Sequence, residues 1–323
     1  MNSFKTQLFT LFLICLCNFA KTQNLHLYFE RADSTEIIEM GYLVASEGEF
    51  EHHAVEDENG KEEILEVLQK YLQESKNGNI IFYIHGMMAH TKWYQKMVHN
   101  KLNQDLYTQE KNHADIVVSL VWHGTMDYPK NYEDAYNIGK SYFPLVEEIQ
   151  ALTKAYDDDR EINFIMHSMG SRTFQGIYDR YLELDDPTWK AKNVLFVASD
   201  APEDSFYKFG VFDKIDTIAE YIHVYKNEHD FTLGISRGLN SQDRIGLGGI
   251  SDMTKVSDAI SVIDVSILND NEGIMKLTGH RYFFESPTVR KDILRVLNSS
   301  LDNNMVRDLE KDSIIARTFT LKK

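Results

Sequence analysis

Cysteine is nearly absent from this 323-residue chain: there are 2, Cys15 and Cys17, both close to the start. A chain processed after that point keeps no thiol. This excludes disulfide staples, thiolate nucleophiles and cysteine-ligated metal. Stability must then come from a packed core, which a chain of about 300 residues is long enough to build. Neither cysteine follows the small residues of a lipid-attachment site. Proline is also scarce, with 5 residues, and no Pro-rich linker, internal repeat or low-complexity block divides the chain. Cations are outnumbered, 34 Lys and Arg against 50 Asp and Glu, for a formal charge of −16. Such a balance argues against nucleic acid and against long-range attraction to anionic membranes.

Long apolar runs are lacking too, with one exception. Leu8 to Phe19 is apolar, follows Lys5, and leads to Ala20, a plausible cleavage point. It is short for a bilayer span and stands at the very beginning, so residues 1–22 read as a signal peptide rather than an uncleaved anchor. The mature chain, residues 23–323, is then an exported, periplasmic or secreted, single domain without a membrane span. Loss of Lys5 and Lys21, with no acid beside them, takes its formal charge from −16 to −18.

What is present is an alternation. Short β-rich runs at Leu25–Phe29, Ile37–Ala45, Ile80–Ile84, Ile116–Val121, Ile162–Met166, Val194–Ala198, Ile218–Tyr225 and Val262–Ile267 interleave with helical spacing over 64–72, 91–107, 131–155, 174–182 and 289–297. Such alternation predicts an α/β fold, with a mostly parallel sheet of about eight strands and helices on both faces. Residues 46–61 are polar and read as a loop, Asp157-Asp158-Asp159 as a turn, and the C-terminal residues as a polar tail. Residues 231–260, rich in Gly and Ser, read as an excursion over the site.

The most telling stretch is Ile162-Asn163-Phe164-Ile165-Met166-His167-Ser168-Met169-Gly170. A buried strand, a serine and a glycine at the start of a helix form the layout of a nucleophile elbow, which lifts a hydroxyl out of the sheet. In open parallel sheets the site lies beyond the carboxyl ends of the strands. Asp230 follows the Ile218–Tyr225 run and His280 follows the last run, giving the order Ser168, Asp230, His280 expected of such hydrolases. A serine hydroxyl needs an adjacent base. An imidazole takes and returns that proton, and a carboxylate fixes its tautomer. Two oxyanion donors are expected, the N–H of Met169 and, from the His85-Gly86-Met87 loop, the N–H of Met87.

Competitors exist for each role. Ser168 can be an ordinary helix N-cap. Asp200 also follows a strand and is the alternative acid. His223 and His229 are alternatives to His280, the latter crowded against the proposed acid. His85 reads as a brace for the oxyanion loop, and His167 as pointing away from the hydroxyl. Other motifs fail: Gly139-Lys140-Ser141 lacks the earlier glycine of a phosphate loop, the aspartate run lacks EF-hand spacing, and no H-E-x-x-H is present. No cofactor and no metal are expected.

Together, Tyr83-Ile84-His85-Gly86, Val121-Trp122, Met166-His167-Ser168-Met169-Gly170, Ala198 to Asp204 with Phe206, Val224-Tyr225 to Asp230, Leu233, Ser236, Arg244-Ile245-Gly246, and Gly279-His280-Arg281-Tyr282-Phe283 with Ser286-Pro287 resemble a bacterial α/β-hydrolase family of uncharacterised function, esterase- or lipase-like. The resemblance implies an α/β-hydrolase fold and a triad of Ser168, Asp230 and His280. It departs at Met166, where such elbows usually carry Ala or Gly, and at His123-Gly124, where the pattern tends to Pro-Ser. The first sets a large side chain at the strand–helix crossing, and the second alters the pocket wall. The expected activity is cleavage of a small-molecule or lipid carboxylic ester through an acyl-enzyme. Amidase or thioesterase chemistry would use the same parts. The alternative from another class is a non-catalytic binding module on the same scaffold.

Overall fold

The central strands are predominantly apolar because both of their faces are covered. In the computed structural model, β4 (Ile80–Ile84), β5 (Ile116–Trp122) and β6 (Ile162–His167) are buried at every position. The structure describes residues 25–35, 37–46, 49–55, 60–74, 79–87, 116–156, 160–271, 278–297, 307–309 and 317–322. The expected signal peptide, the helix over 91–107 and the turn at 157–159 lie outside the described residues.

The remaining strands are β1 (Leu25–Arg31), β2 (Ile37–Ser46), β3 (Glu49–Val55), β7 (Ala191–Val197), β8 (Ala219–Lys226), β9 (Ile260–Asp264), β10 (Arg307–Leu309) and β11 (Thr318–Leu321). They form one sheet of 11 described strands in the order β10-β11-β9-β8-β7-β6-β4-β5-β1-β2-β3. From β11 to β1 all neighbours are parallel, and β10, β2 and β3 add antiparallel edges. The expectation of about eight strands therefore holds for the parallel part and falls short at the edges. Residues 49–55 are a strand rather than a loop, and the C-terminal tail contributes β10 and β11. Edge strands escape detection because one side of the ladder faces solvent, so Glu49-Phe50-Glu51-His52-His53 carries no apolar run.

Alternate residues of each strand feed two cores. Phe82, Phe164, Met166, Val194 and Phe196 pack beneath the helices α1 (Gly60–Glu74), α2 (Tyr128–Tyr156) and α3 (Gly170–Tyr181). Tyr83, Ile165, Leu195, Val197 and Tyr225 face the other way, towards Val289, Ile293 and Val296 of a C-terminal helix, Pro287–Leu297. The first core is rich in aromatics, with Phe82 and Phe164 rings 4.9 Å apart. Truncating such a buried ring costs about 3–5 kcal/mol. Parallel register aligns Ile84 with Met166, and Met166 with Phe196. The carboxyl ends of β4, β6 and β7 therefore finish level, and the loops that follow them meet at one place.

Residues 231–260, read from the sequence as an excursion over the site, carry regular structure. They hold α4 (Phe231–Asn240), a single turn at Ile245–Gly248 and a 3₁₀ turn at Met253–Lys255. The C-terminal helix at Pro287–Leu297, α5, is the last of the described helices longer than one turn.

Candidate active site

Ser168 adopts a left-handed backbone, φ 56°, directly after β6. A non-glycine residue held there stores about 1–3 kcal/mol of strain and persists only where its surroundings fix it. Four hydrogen bonds do so. Its N–H donates to Val197 O (3.1 Å), and its carbonyl accepts from Asp200 N–H (3.1 Å), Ser171 N–H (3.3 Å) and the Ser171 hydroxyl (2.8 Å). The Met166 side chain, set by the sequence at the strand–helix crossing, belongs to the core beneath the helices. It is fully buried in the aromatic core, and α3 starts at Gly170 as the sequence predicts.

The loop after β4 abuts the serine. A Cβ on Gly86 would stand 2.7 Å from Ser168 Cβ and 3.3 Å from Ser168 Oγ, so a side chain is excluded there. His85 is fixed by the neighbouring strand end. Trp122 N–H donates to His85 Nε2 (3.0 Å), the Trp122 indole N–H donates to His85 O (3.0 Å), and the rings stack at 5.6 Å. With Nε2 accepting, Nδ1 carries the proton and donates to Gly86 O (2.6 Å). Both ring nitrogens are thus spent on the loop. Among the described residues, the N–H groups of Met87 and Met169 donate to no backbone carbonyl. Met169 stands at the N-terminus of α3, where helix dipoles favour negative charge.

Asp230 and His280 are brought together from 50 residues apart. His280 Nδ1–H donates to Asp230 Oδ2 at 2.7 Å, and both groups are buried. The other carboxylate oxygen, Oδ1, caps α4 by accepting Leu233 N–H (2.9 Å). Asn227 ties the two loops: its amide donates to Gly279 O (2.7 Å), and its oxygen accepts His229 N–H (3.1 Å). Gly279 is required beside the imidazole. Its φ is 63°, and a Cβ would fall 2.8 Å from His229 O. His167 braces His280 from below, with Nε2–H donating to His280 O (3.2 Å) and the rings 4.8 Å apart. Burial, reinforced by His280, holds the His167 imidazole well below its ordinary range and therefore neutral. No hydrogen bond joins Ser168 to His280 among the described residues.

Asp200, the alternative acid, makes no hydrogen bond to His280. Its carboxylate accepts from the Tyr128 hydroxyl (2.7 Å) and the Ser236 hydroxyl, and the buried Arg244 stands 3.4 Å away. Burial pushes the Asp200 carboxyl up, and Arg244 and the two hydroxyls oppose that shift. His229 is exposed beside Glu228, and His223 is buried in the middle of β8 against Asn193 (3.3 Å). Neither approaches the serine loop through any described bond. Among the described residues no cluster of three or more His, Cys, Asp or Glu is placed to hold a metal ion.

Several contributors escape a reading of the sequence. Tyr282 accepts Ala198 N–H (2.7 Å) and donates to Tyr225 O (2.8 Å), which pins a second left-handed residue, Ala198 at φ 46°, beside the elbow. Asn227 and Tyr282 lie within three residues of Asp230 and His280, and that proximity is the signal available for them. Tyr128 carries none, because its partner lies 72 residues away.

No curated protein matches the sequence. Among solved structures the chain is similar to phospholipase PlaB from Legionella pneumophila, at 13% identity over 73% of this chain and 67% of that one, TM-score 0.35. It is also similar to the lin2722 gene product of Listeria innocua, at 13% identity over 76% and 99%, TM-score 0.32. Likenesses this distant carry nothing about activity. The family model described as alpha/beta hydrolase of unknown function (DUF900) matches residues 60–297, a segment that holds the turn at Ser168, the His85–Met87 loop and the Asp230–His280 pair, and the chain belongs to this α/β-hydrolase family.

Proposed function

We propose that the protein is an exported serine hydrolase of carboxylic esters, with Ser168 as nucleophile, His280 as general base and Asp230 as the acid that orients it. The observation that carries this reading is the buried 2.7 Å His280–Asp230 hydrogen bond, made through Nδ1. It leaves Nε2 as the free acceptor, on the same rim of the sheet as a left-handed serine. In the proposed cycle, Nε2 takes the hydroxyl proton as Ser168 Oγ attacks the ester carbonyl carbon. The carbonyl electron pair moves to oxygen, where the Met87 and Met169 N–H groups receive the charge. Collapse expels the alcohol, which takes the proton from His280. Water then enters by the same route and releases the carboxylic acid. The Asp230 carboxylate stabilises the imidazolium through the hydrogen bond it accepts. Thioester and amide substrates would use the same groups. Export rests on the Leu8–Phe19 run.

The missing Ser168–His280 hydrogen bond is the one observation favouring a non-catalytic binding module. Such bonds are often long before substrate is bound. A fluorophosphonate probe separates the two readings. Wild-type protein is expected to label at Ser168, and Ser168→Ala is not. Folded wild type that stays unlabelled would refute the enzyme reading.

A further inference from the structure

Six large apolar side chains stand more than half exposed among the described residues: Met126, Phe209, Phe231, Ile235, Leu239 and Ile267. The other exposed large hydrophobics reach at most 45%. Three of the six, Phe231, Ile235 and Leu239, recur every four residues on α4 and are 66%, 52% and 65% exposed. At that spacing they share one helix face. The opposite face of α4 buries only Leu233 and Ser236. The helix thus turns its apolar stripe outward, the reverse of a packed surface helix.

The other three belong to segments bonded to α4 or its flanks. Tyr128, two residues after Met126, meets Ser236 (3.1 Å) and Asn240 (3.0 Å) of α4 through its hydroxyl. Asp204, on the 3₁₀ turn that precedes Phe209, accepts from Gln242 (2.9 Å) just past the helix. The Ser266 hydroxyl, beside Ile267, accepts Glu228 N–H (2.9 Å) just before it. The segments that carry Met126, Phe209 and Ile267 are thus tied, within a few residues of each, to the element whose N-cap is Asp230, on the carboxyl-end side of the sheet where Ser168 stands.

We infer that this rim docks on a lipid–water interface of uncharged or zwitterionic headgroups, and that the substrate is an ester presented within such an aggregate. The inference deepens the ester-hydrolase reading and rests on it for the substrate. The charge pattern selects the occupant. Helix α4, Phe-Thr-Leu-Gly-Ile-Ser-Arg-Gly-Leu-Asn, holds Arg237 and no acid in a chain of net charge −16. An acid-free apolar stripe enters a neutral interface by burial alone, while the protein's overall charge opposes an anionic one. A protein partner seated here would cover the side of the sheet that carries Ser168, whereas a lipid surface delivers substrate to it.

The test uses the full mature chain carrying Ser168→Ala, so that vesicles stay intact. Co-flotation with phosphatidylcholine vesicles is expected, with weaker binding to phosphatidylglycerol vesicles at low salt. The triple variant Phe231→Ser, Ile235→Ser, Leu239→Ser changes only exposed positions and should lower partitioning on the order of 100-fold. In the Ser168 background it should hydrolyse a soluble short-chain ester at the parental rate. Failure of the parental protein to float, equal flotation of the triple variant, or tighter binding to anionic vesicles would overturn the inference. So would a concentration-dependent dimer that the triple variant abolishes, which would make a second copy the occupant. Flotation reads the surface and fluorophosphonate labelling reads the serine, so each can fail without the other.

Discussion

Two aspartates stand one strand apart at the same rim of the sheet, Asp200 past the end of β7 and Asp230 past the end of β8. Both are buried, and both follow apolar strands. Their partners differ. Every bond to the Asp200 carboxylate comes from a group that holds the fold: Tyr128 at the start of α2, Ser236 on α4, and Arg244 on the chain returning from α4. Asp230 gives one oxygen to the N-terminus of α4 and the other to an imidazole on a separate loop. A strand-end position nominates a carboxylate. The donors that reach it decide whether it is a structural anchor or is available to orient a base.

The sharpest way to break this comparison is to neutralise each acid in turn. Asp230→Asn should lower kcat for a soluble ester on the order of 10⁴-fold, because the imidazole loses its tautomer and its counter-charge. Its folding should change little, since asparagine also caps a helix well. Asp200→Asn should do the opposite. The rate should stay within about tenfold of wild type, while denaturant unfolding should show a loss of about 3 kcal/mol as buried Arg244 is left without a counter-charge. Steady-state kinetics and urea titrations on both variants would settle the matter. A 10⁴-fold loss in Asp200→Asn with near-normal rates in Asp230→Asn would exchange the two roles.

Strand order alone favours Asp230 over Asp200, and the apolar runs suffice to place β4 to β9. The elbow is legible because a buried run must end in polar residues at one rim, and Ser168 falls at that end. Met166 illustrates the limit of local pattern. Its size predicts a crowded crossing, and only strand pairing with Ile84 and Phe196 shows it as a member of the core beneath the helices. Edge strands such as β3 are hidden because solvation removes their hydropathy signal. The anchors of Asp200 are hidden for another reason. Ser236 and Arg244 belong to the resemblance without any role attached, and Tyr128 lies in a polar stretch at the start of α2. Only the folded chain makes them neighbours, across sequence separations of 36, 44 and 72 residues.

His167 extends the comparison to a buried base, because it sits beside Ser168 yet is spent on structure, as Asp200 is. Burial holds its imidazole well below the ordinary 6.5, so the folded protein resists protonating it. An unfolded chain takes up that proton as pH falls through about 6.5, while the native state does not. The stability linked to His167 is therefore complete above that pH. Below it, stability declines by up to about 1.4 kcal/mol per pH unit until the folded imidazole itself titrates. His167→Gln keeps an N–H to donate to His280 O and removes the titration. The difference in unfolding free energy between wild type and variant should be flat above about pH 7. It should grow in the variant's favour below about pH 6, while kcat at pH 8 stays within about threefold. His167→Ala, which lacks the donor, should lose rate at every pH because the His280 loop loses its brace. Equal pH slopes in wild type and His167→Gln would mean that the imidazole is protonated in the native state. It would then place a positive charge beside the base, and His167 would no longer resemble Asp200 as a group committed to the fold.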